Sequence, residues 1–491
     1  MKAILPLRSG SDPIKHVVLI MFENHSFTEI LGDLTKIYPG LKGIDQKNPK
    51  FNEDLTGRRY YQQPATTSAM ITDPNHEMSD TAVQMAFGRM DGFVKDYQFF
   101  HPQATAEQLQ AIMNYYPLGS LPADHTFAQH FTFFDQFHAS VPGPTFPNRF
   151  FHMQGTSGGL VNMPQSVPKL NDLAGWAQVE AWLEMSEETL FDRLTEAGVN
   201  YRCYFNDVPI SLMLKNQRQL KHAARYFDIE QFYKDAAGPA ADFPEFAYIE
   251  PSYIGANSSD EHPPGDIMNG QKLKVDLYNA IFANEELANS TLFIVTYDEH
   301  GGFYDDVYPP QAVPPDRSNK EYAFNQLGLR VPTYLISPWV ERGFDSGLYD
   351  HTSVLKYLQE KFGLGSLGDR TAAAASFAHL IGQRQTPRSD FPRHIDMPQP
   401  KAVELTDADE GRINNLASSV SHLSTSIEQE LRRNWPVRGR LTVWFERLYR
   451  WYLRRREANP VKALLVDFSA RSRLIRRFAD KARNTPLAKR K

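Results

Sequence analysis

Three ionisable side chains stand side by side in this sequence just after a short apolar run. The run, residues 291–297, reads TLFIVTY, and Asp298, Glu299, His300 and two glycines follow it. Its length and its β-branched residues are typical of a buried strand in a parallel sheet. Open α/β sheets bind ligands at the carboxyl ends of their strands, so this end of the run is a candidate binding edge. Taken alone, the acidic pair is also compatible with a solvated turn.

A second apolar run ends in the same way. Residues 17–22 lead directly into Glu23 and Asn24. Two adjacent carboxylates such as Asp298 and Glu299 repel each other unless a cation or a shared proton lies between them. If the two strands are neighbours, the four side chains converge on one site, whose hard oxygen ligands suit Mg²⁺, Ca²⁺ or Mn²⁺. The alternative for Glu23 and Asn24 is that they only cap the next helix.

The third candidate element is a tight loop around a threonine. Residues 139–151 read ASVPGPTFPNRFF, in which Thr145 is followed by Asn148 and Arg149. A hydroxyl nucleophile needs a cation or a base beside it, because its own pKa is far too high. Arg149 and Asn148 are predicted to donate hydrogen bonds to phosphoryl oxygens. Alone the loop is a turn that contains a threonine, but beside two acidic strand ends it indicates a phosphoryl-transfer centre.

The elements that must position these residues alternate along the chain. Strands are predicted at residues 16–22, 200–205, 246–249, 291–297 and 331–336. Helices are predicted at residues 188–197, 266–288 and 352–362. Such alternation predicts an α/β fold with a mostly parallel sheet sandwiched by helices.

Charge divides the chain into unlike parts. The 491 residues carry a net charge of −5, yet residues 431–491 hold 19 Lys and Arg against 4 Asp and Glu, a net +15 that leaves −20 for the rest. A proline-rich stretch precedes the basic part. We therefore predict a catalytic α/β domain at residues 1–384, a linker or wrapping segment at 385–404 and a basic helical C-terminal region at 405–491.

The basic region contains two amphipathic patterns. Apolar residues recur every three or four positions from residue 413 to residue 431, which predicts a helix with one apolar stripe. Residues 440–458 combine aromatic and arginine side chains at helical spacing, a pattern typical of helices at anionic membrane surfaces. The same helix docked on the catalytic core is an equal alternative. Nucleic-acid binding is disfavoured, because no base-reading motif accompanies the charge.

Composition limits the compartment and the redox chemistry. The sequence has no apolar stretch long enough to span a membrane and no visible secretory signal, which favours a cytoplasmic or peripheral-membrane location and leaves export by another route open. Its one cysteine, Cys203, excludes an internal disulfide and is predicted to be a buried strand residue.

Eight stretches, in order from Ile14 to about Leu364, resemble one known family. It is the phosphoesterase family of non-specific phospholipases C and a related acid phosphatase, within the alkaline-phosphatase-like superfamily. The opening motif of that family commonly reads Glu-Asn-Arg-Ser-Phe-Asp, whereas this chain has His25 and Thr28 at the third and sixth positions. The matching stretches are IKHVVLIMFENHSFTEILG, TDPNHEMSDTAVQMAFGRMDGFV, VPGPTFPNRFFHMQGTSGG, TLFDRLTEAGVNYRCYFND, DEHPPGDIMNGQ, TLFIVTYDEHGGFYDDVYPP, GLRVPTYLISPWV and YDHTSVLKYLQEKFGL.

The resemblance implies a fold, a reaction and roles for residues. It implies an alkaline-phosphatase-like fold and a phospholipase C that releases diacylglycerol and a phosphorylated headgroup. Acid phosphatase activity at the same site and a non-catalytic protein that binds anionic membranes are the alternatives. The implied metal ligands, for a divalent ion or an equivalent positive centre, are Glu23, Asn24, Asp298, Glu299 and Thr145, which is also the nucleophile. The residues implied to surround the phosphate are His76, His351 and His262, the last as the acid for the leaving group.

Overall fold

The computed structural model describes residues 12–69, 73–163, 185–253, 257–315, 322–398, 400, 423–435, 439–444, 447–448 and 460–485. Its strands are β1 His16–Phe22, β2 Phe51–Glu53, β3 Arg59–Tyr61, β4 Gln63–Pro64, β5 Asn114–Tyr115, β6 Thr132–Phe134, β7 Phe137–His138, β8 Tyr201–Phe205, β9 Tyr226–Asp228, β10 Phe246–Glu250, β11 Thr291–Tyr297, β12 Thr333–Ile336, β13 Gly343–Asp345 and β14 Tyr349–Asp350. Its helices are α1 Phe27–Leu31, α2 Met78–Met85, α3 Phe93–Phe100, α4 Ala106–Ala111, α5 Pro122–His130, α6 Thr145–Gln154, α7 Leu190–Glu196, α8 Leu220–Ala223, α9 Ile229–Ala237, α10 Ile267–Phe282, α11 Glu285–Ala288, α12 His351–Phe362, α13 Asp369–Ala373 and α14 Pro460–Arg483.

The core of the molecule is an eight-stranded sheet between helices. Its strand order is β13-β6-β12-β11-β1-β10-β8-β9, and β12 alone among these strands runs against the others. Every residue of β1 and of β11 is buried, as expected for parallel strands that are covered on both faces. The predicted α/β class with a mostly parallel sheet is confirmed.

The central strands β1 and β11 are direct neighbours and end at the same level. They pair in parallel, with Phe22 opposite Tyr297 in the last register position. Glu23 directly follows β1, and Asp298 directly follows β11. Both strands have the bounds that their apolar runs predict.

Other elements differ from the prediction. The helix predicted at residues 266–288 is two helices, α10 and α11, because Asn284 begins a new helix by accepting a hydrogen bond from the amide of Leu287 at 3.2 Å. The short strands β6, β9 and β13 were not predicted. Each has three residues, too few to show a periodic pattern.

The last described helix, α14, packs on the domain that contains the central sheet. Leu474, Ile475 and Phe478 of α14 are buried and belong to the main apolar cluster. The hydroxyl of Ser472 donates to the backbone oxygen of Asp207 at 2.6 Å. This helix follows residues 440–458, the segment for which the docked and the membrane-bound alternatives were given.

The segments before α14 are described in part. The wrapping segment contacts α10, where the amide of Ile395 donates to the side-chain oxygen of Asn279 at 2.9 Å. In the stripe predicted between residues 413 and 431, Leu423, Ile427 and Leu431 are buried, whereas residues 413–422 lie outside the described residues. Of residues 440–458, only 440–444 and 447–448 are described.

Two expectations from composition can also be compared with the structure. Cys203 is a buried residue of β8, as predicted. Among the described residues, no helix has both the length and the apolar character that crossing a membrane requires.

Candidate active site

The two acidic strand ends are joined by backbone hydrogen bonds. The amide of Asn24 donates to Asp298 Oδ1 at 3.3 Å, and the amide of His25 donates to the carbonyl of Glu299 at 3.1 Å. Gly301 makes this approach possible, because its φ is +65° and a Cβ there would lie 2.2 Å from the carbonyl oxygen of Asn24. Gly301 therefore lies against the end of the other strand.

Arg149 lies between the acids. Its Nη2 is 3.1 Å from Glu23 Oε1 and its Nε is 3.2 Å from Asp298 Oδ2. Nη1 donates to the hydroxyl of Tyr253 at 3.1 Å, and Nη2 also donates to the carbonyl of Met21 at 3.3 Å. The guanidinium group is buried and its donors are directed at these protein oxygens, so the geometry does not favour the predicted donation to a phosphoryl group.

Thr145 is the first residue of α6 and faces a cavity of about 170 Å³. The described residues that line the cavity are Glu23, Asp73, Pro74, Asn75, His76, Glu77, Thr145, Phe146, Met163, Asp260 and His262. The cavity is therefore lined by four of the predicted site residues: Glu23, Thr145, His76 and His262.

Asn148 holds the loop that precedes Thr145. Its Oδ1 accepts from the amide of Val141 at 3.0 Å, and its Nδ2 donates to the carbonyl of Gly143 at 2.8 Å. Asn148 is buried and is not among the described lining residues of the cavity. Its amide supports the loop around Thr145, which differs from the predicted contact with phosphoryl oxygens.

His76 and His262 are oriented by neighbouring prolines. Nδ1 of His76 lies 2.7 Å from the carbonyl of Pro74, and Nδ1 of His262 lies 2.5 Å from the carbonyl of Pro263. A carbonyl oxygen only accepts, so each Nδ1 carries a proton. Nε2 of His76 lies 3.4 Å from Asn24 Nδ2, and Nε2 of His262 lies 3.9 Å from Asp73 Oδ2. Atoms of these two rings and of Asp73 lie within 4.8 Å of one another, so they form a compact nitrogen and oxygen cluster.

His351 occupies a different position from the other two predicted histidines. Its Nε2 donates to the carbonyl of Tyr297, the last residue of β11, at 2.9 Å. The ring is fully buried, and burial lowers the pKa of His351 to about 4. It supports the end of β11 and is not among the described residues that line the cavity.

Two ionisable groups at the centre, Asp298 and His76, have shifted pKa values. Burial, together with the neighbouring Glu299, raises the pKa of Asp298 to about 7, although Arg149 opposes the change. Burial alone would lower the pKa of His76, but Glu299 and Asp73 outweigh it and raise that pKa to about 10. His76 is thus held as a cation, with Nε2 3.7 Å from Glu299 Oε1.

The acidic side of the centre carries oxygen donors of the kind that bind divalent cations. Asn24 Oδ1 and Glu299 Oε1 are buried and make no hydrogen bond within the described part of the chain. The carboxylates of Glu23 and Asp298 both pair with Arg149, and the described group of acids and histidines whose ligand atoms lie within 4.8 Å of one another is Asp73, His76 and His262. Oxygen donors with this charge suit Mg²⁺, Ca²⁺ or Mn²⁺.

Comparison with known proteins decides the family. The sequence model of the Phosphoesterase family matches residues 14–365. The chain belongs to the phosphoesterase family. Non-specific phospholipase C6 of Arabidopsis thaliana is 31% identical over 464 residues, covering 87% of this chain and 85% of the relative. Hemolytic phospholipase C of Pseudomonas aeruginosa is 27% identical over 419 residues, covering 73% and 54%. The resemblance is confirmed, and this phosphoesterase is a phosphoric ester hydrolase.

Solved structures match at low similarity. A protein of the alkaline phosphatase superfamily from Vibrio parahaemolyticus aligns with a TM-score of 0.30 and 12% identity, covering 63% of this chain and 82% of that one. The phosphonate monoester hydrolase of Agrobacterium radiobacter aligns with a TM-score of 0.32 and 10% identity, covering 77% and 79%.

The two departures from the opening motif of phosphoesterases have local partners. Nδ1 of His25 is 2.8 Å from Glu29 Oε2, and Nε2 is 3.0 Å from the carbonyl of Glu261. Burial disfavours the charged ring, yet Glu29 outweighs it and raises the pKa of His25. Thr28 donates to Asp305 and accepts from Arg330 Nη2 at 3.1 Å. Neither residue lines the cavity among the described residues.

Sequence reasoning missed part of the cavity wall. Asp73, Glu77 and Asp260 line the cavity, but none was among the predicted site residues. The first two flank His76 in the stretch DPNHE, so the spacing of acids around that histidine was the available signal. These loop residues have no periodic pattern that would place them near β1 and β11.

Proposed function

We propose that this phosphoesterase is an enzyme of the phospholipase C type that cleaves a phospholipid to diacylglycerol and a phosphorylated headgroup. The observation that carries the proposal is the position of Thr145, at the start of α6 and on the wall of the cavity that Glu23, His76 and His262 also line. The amino end of a helix favours bound anions, so a phosphate in this cavity would face the positive end of α6. The names of the two relatives supply the substrate class.

In the first step the hydroxyl oxygen of Thr145 attacks phosphorus. A bond forms between this oxygen and phosphorus as the hydroxyl proton passes to solvent, and the bond between phosphorus and the glycerol oxygen breaks in line with it. The leaving alkoxide takes a proton from Nε2 of His262, whose Nδ1 proton is committed to Pro263. The cationic His76 stabilises the charge that develops on the phosphoryl oxygens.

In the second step water attacks the phosphothreonine. Neutral His262 takes a proton from the water as the water oxygen bonds to phosphorus. The bond between the threonine oxygen and phosphorus breaks, the threonine oxygen takes up a proton from solvent, and the phosphorylated headgroup leaves. Arg149 and Asn148 act without touching substrate. Arg149 fixes Glu23 and Asp298, and Asn148 fixes the loop before Thr145.

A divalent ion of the Mg²⁺, Ca²⁺ or Mn²⁺ type would be held by the residues on the acidic side. When bound it would lower the pKa of the threonine hydroxyl and stabilise phosphoryl charge. The residues proposed to hold it are Glu23, Asn24, Thr145, Asp298 and Glu299.

The first prediction concerns Thr145. In Thr145→Ala, kcat on phosphatidylcholine should fall by about 10⁴-fold or more, since the nucleophile is gone. Thr145→Ser keeps a hydroxyl and should retain turnover within about 10²-fold. Release of phosphorylated headgroup by the purified variants measures both, and unchanged thermal unfolding shows that they are folded. Trapping of ³²P on the wild type, but not on Thr145→Ala, would identify the covalent intermediate.

Substrate choice separates the alternatives. Phosphatidylcholine and p-nitrophenyl phosphorylcholine are diesters, whereas p-nitrophenyl phosphate is a monoester. Preference for the diesters supports the phospholipase proposal, and preference for the monoester would replace it with a phosphatase. Full activity of Thr145→Ala would remove the threonine from its proposed role.

A further inference from the structure

Phe87 is the most exposed large apolar side chain in the described part of the molecule. Its relative exposure is 97%, compared with 69% for Phe99, the next in order. Single exposed apolar residues are common, but an aromatic ring held almost wholly in solvent has no packing reason within the fold. We call residues 86–91 the Phe87 turn.

The backbone of the Phe87 turn directs the ring outward. Ala86, Phe87 and Met90 have φ values of 46°, 56° and 54°, in the left-handed region that residues with a Cβ rarely adopt. Packing and a hydrogen bond hold this conformation. The side chains of Met85 and Met90 are buried, and the Met90 amide donates to the carbonyl of Met85 at 3.1 Å. Asn52 also donates to the carbonyl of Met90 at 3.0 Å. The ring is therefore presented by a rigid support.

The groups around the ring are those of a lipid interface. A Cβ on Gly88 would lie 3.7 Å from the ring of Tyr308, which is 45% exposed. Arg89 is exposed and pairs with Asp91 at 3.2 Å. A projecting phenyl ring beside a tyrosine and an arginine is typical of protein surfaces that enter the headgroup region. With Arg89 and Asp91 in balance, the turn suits a zwitterionic lipid surface.

The Phe87 turn is tied to the cavity by one short helix. Glu77 lines the cavity, α2 begins at the next residue, and Phe87 follows the end of α2 by two residues. Eight helical residues rise about 12 Å, so the turn and the cavity wall belong to one rigid element. We propose that the Phe87 turn docks the enzyme on a zwitterionic phospholipid surface and thereby brings the cavity to its substrate. This inference rests on the proposed function.

The test measures binding separately from catalysis. Sedimentation of full-length protein with phosphatidylcholine vesicles is carried out in the Thr145→Ala background, so that the vesicles are not consumed. Phe87→Ser should lower the partition coefficient about tenfold, and Phe87→Trp should restore it. Leu348→Ser is the matched control, since Leu348 is 45% exposed in a different loop, and it should change binding less than twofold. Fluorescence of the new tryptophan should be quenched by brominated lipid.

Activity assays keep the two proposals distinguishable. In the active enzyme, Phe87→Ser should lose turnover on phosphatidylcholine vesicles and keep turnover of soluble p-nitrophenyl phosphorylcholine. If vesicle binding depended on Phe87 but no hydrolysis occurred, the phospholipase proposal would be wrong and the docking inference would stand. Equal binding by Phe87→Ser and the parent would overturn the docking inference, as would a dimer in solution that Phe87→Ser dissociates.

Discussion

The candidate site has two parts that are built in different ways, called here the acid wall and the histidine wall, and of the acid wall only Glu23 is among the described residues that line the cavity. The acid wall consists of Glu23, Asn24, Asp298 and Glu299, which follow two adjacent central strands. The histidine wall consists of Asp73, His76 and His262, which lie in loops. The acid wall is fixed by the sheet and by Arg149, whereas each histidine is oriented by the carbonyl of a proline close to it in the chain.

This difference separates two requirements of phosphoryl transfer. A cation must be held at fixed distances, and buried oxygens on neighbouring strands provide such rigidity. A proton donor must follow the leaving group of each substrate, and loop histidines allow this adjustment. We therefore expect changes in the acid wall to affect all substrates alike, and changes in the histidine wall to depend on the leaving group.

Within the two walls, the largest effect is expected from Asp298→Asn. This change removes a charge that faces Arg149 and an oxygen donor of the proposed cation, so kcat/KM should fall about 10³-fold or more on every substrate. Bound metal, measured by mass spectrometry after dialysis, should fall as well. Chelation of the wild type should mimic the variant, and added Mn²⁺ should restore the wild type alone.

Asp305→Asn is the matched control for this prediction. Asp305 is another fully buried aspartate paired with a buried arginine, Arg330, at 2.8 Å. Weakening either buried pair should lower the free energy of unfolding by about 3 kcal/mol. The control should lose stability and keep most of its activity per folded molecule. Equal loss of activity in both variants would mean that the acid wall acts only through folding.

The two walls also differ in how far the sequence predicts them. The acid wall follows from the pattern of residues 17–22 and 291–297, since buried parallel strands that end in acids place those acids at one edge. In the histidine wall, His76 and His262 were found through family resemblance and Asp73 was missed, because loops carry no periodic signal. That resemblance did not distinguish His351, which supports a strand, from His262, which lines the cavity.

Contacts between residues far apart in the chain could not be predicted from the sequence. Arg149 was expected at the phosphate because its charge suits one, but the sequence does not show that Glu23 and Asp298 surround its guanidinium. The short strand β6 was missed because its pairing, like the contacts of Arg149, exists only in the folded chain. β6 is a strand because β12 and β13 pair with it, not because its three residues favour one.

The next prediction tests the contact between the two strand ends of the acid wall. In Gly301→Ala, the new Cβ would lie 2.2 Å from the carbonyl of Asn24, so β1 and β11 cannot keep their approach. A displacement of about 1 Å in the acid wall should lower kcat/KM about 10²-fold on every substrate. The control is Gly363→Ala, because Gly363 has a φ of +66° and no described atom near its Cβ position. Equal losses in both would assign the effect to backbone strain alone.

The smallest effect, limited to one class of substrate, is expected from His262→Gln in the histidine wall. An alkoxide leaving group needs a proton, whereas p-nitrophenolate leaves without one, so the loss should be about 10²-fold on phosphatidylcholine and only a few-fold on p-nitrophenyl phosphorylcholine. Steady-state kinetics of both substrates, presented in the same detergent micelles, provide the measurement. His351→Gln should give a small loss that is equal for the two substrates, because that ring supports the carbonyl of Tyr297 and does not line the cavity. If instead His351→Gln gave the loss that depends on the leaving group and His262→Gln gave the equal loss, His351 would be the proton donor. The histidine wall would then have to include the end of β11.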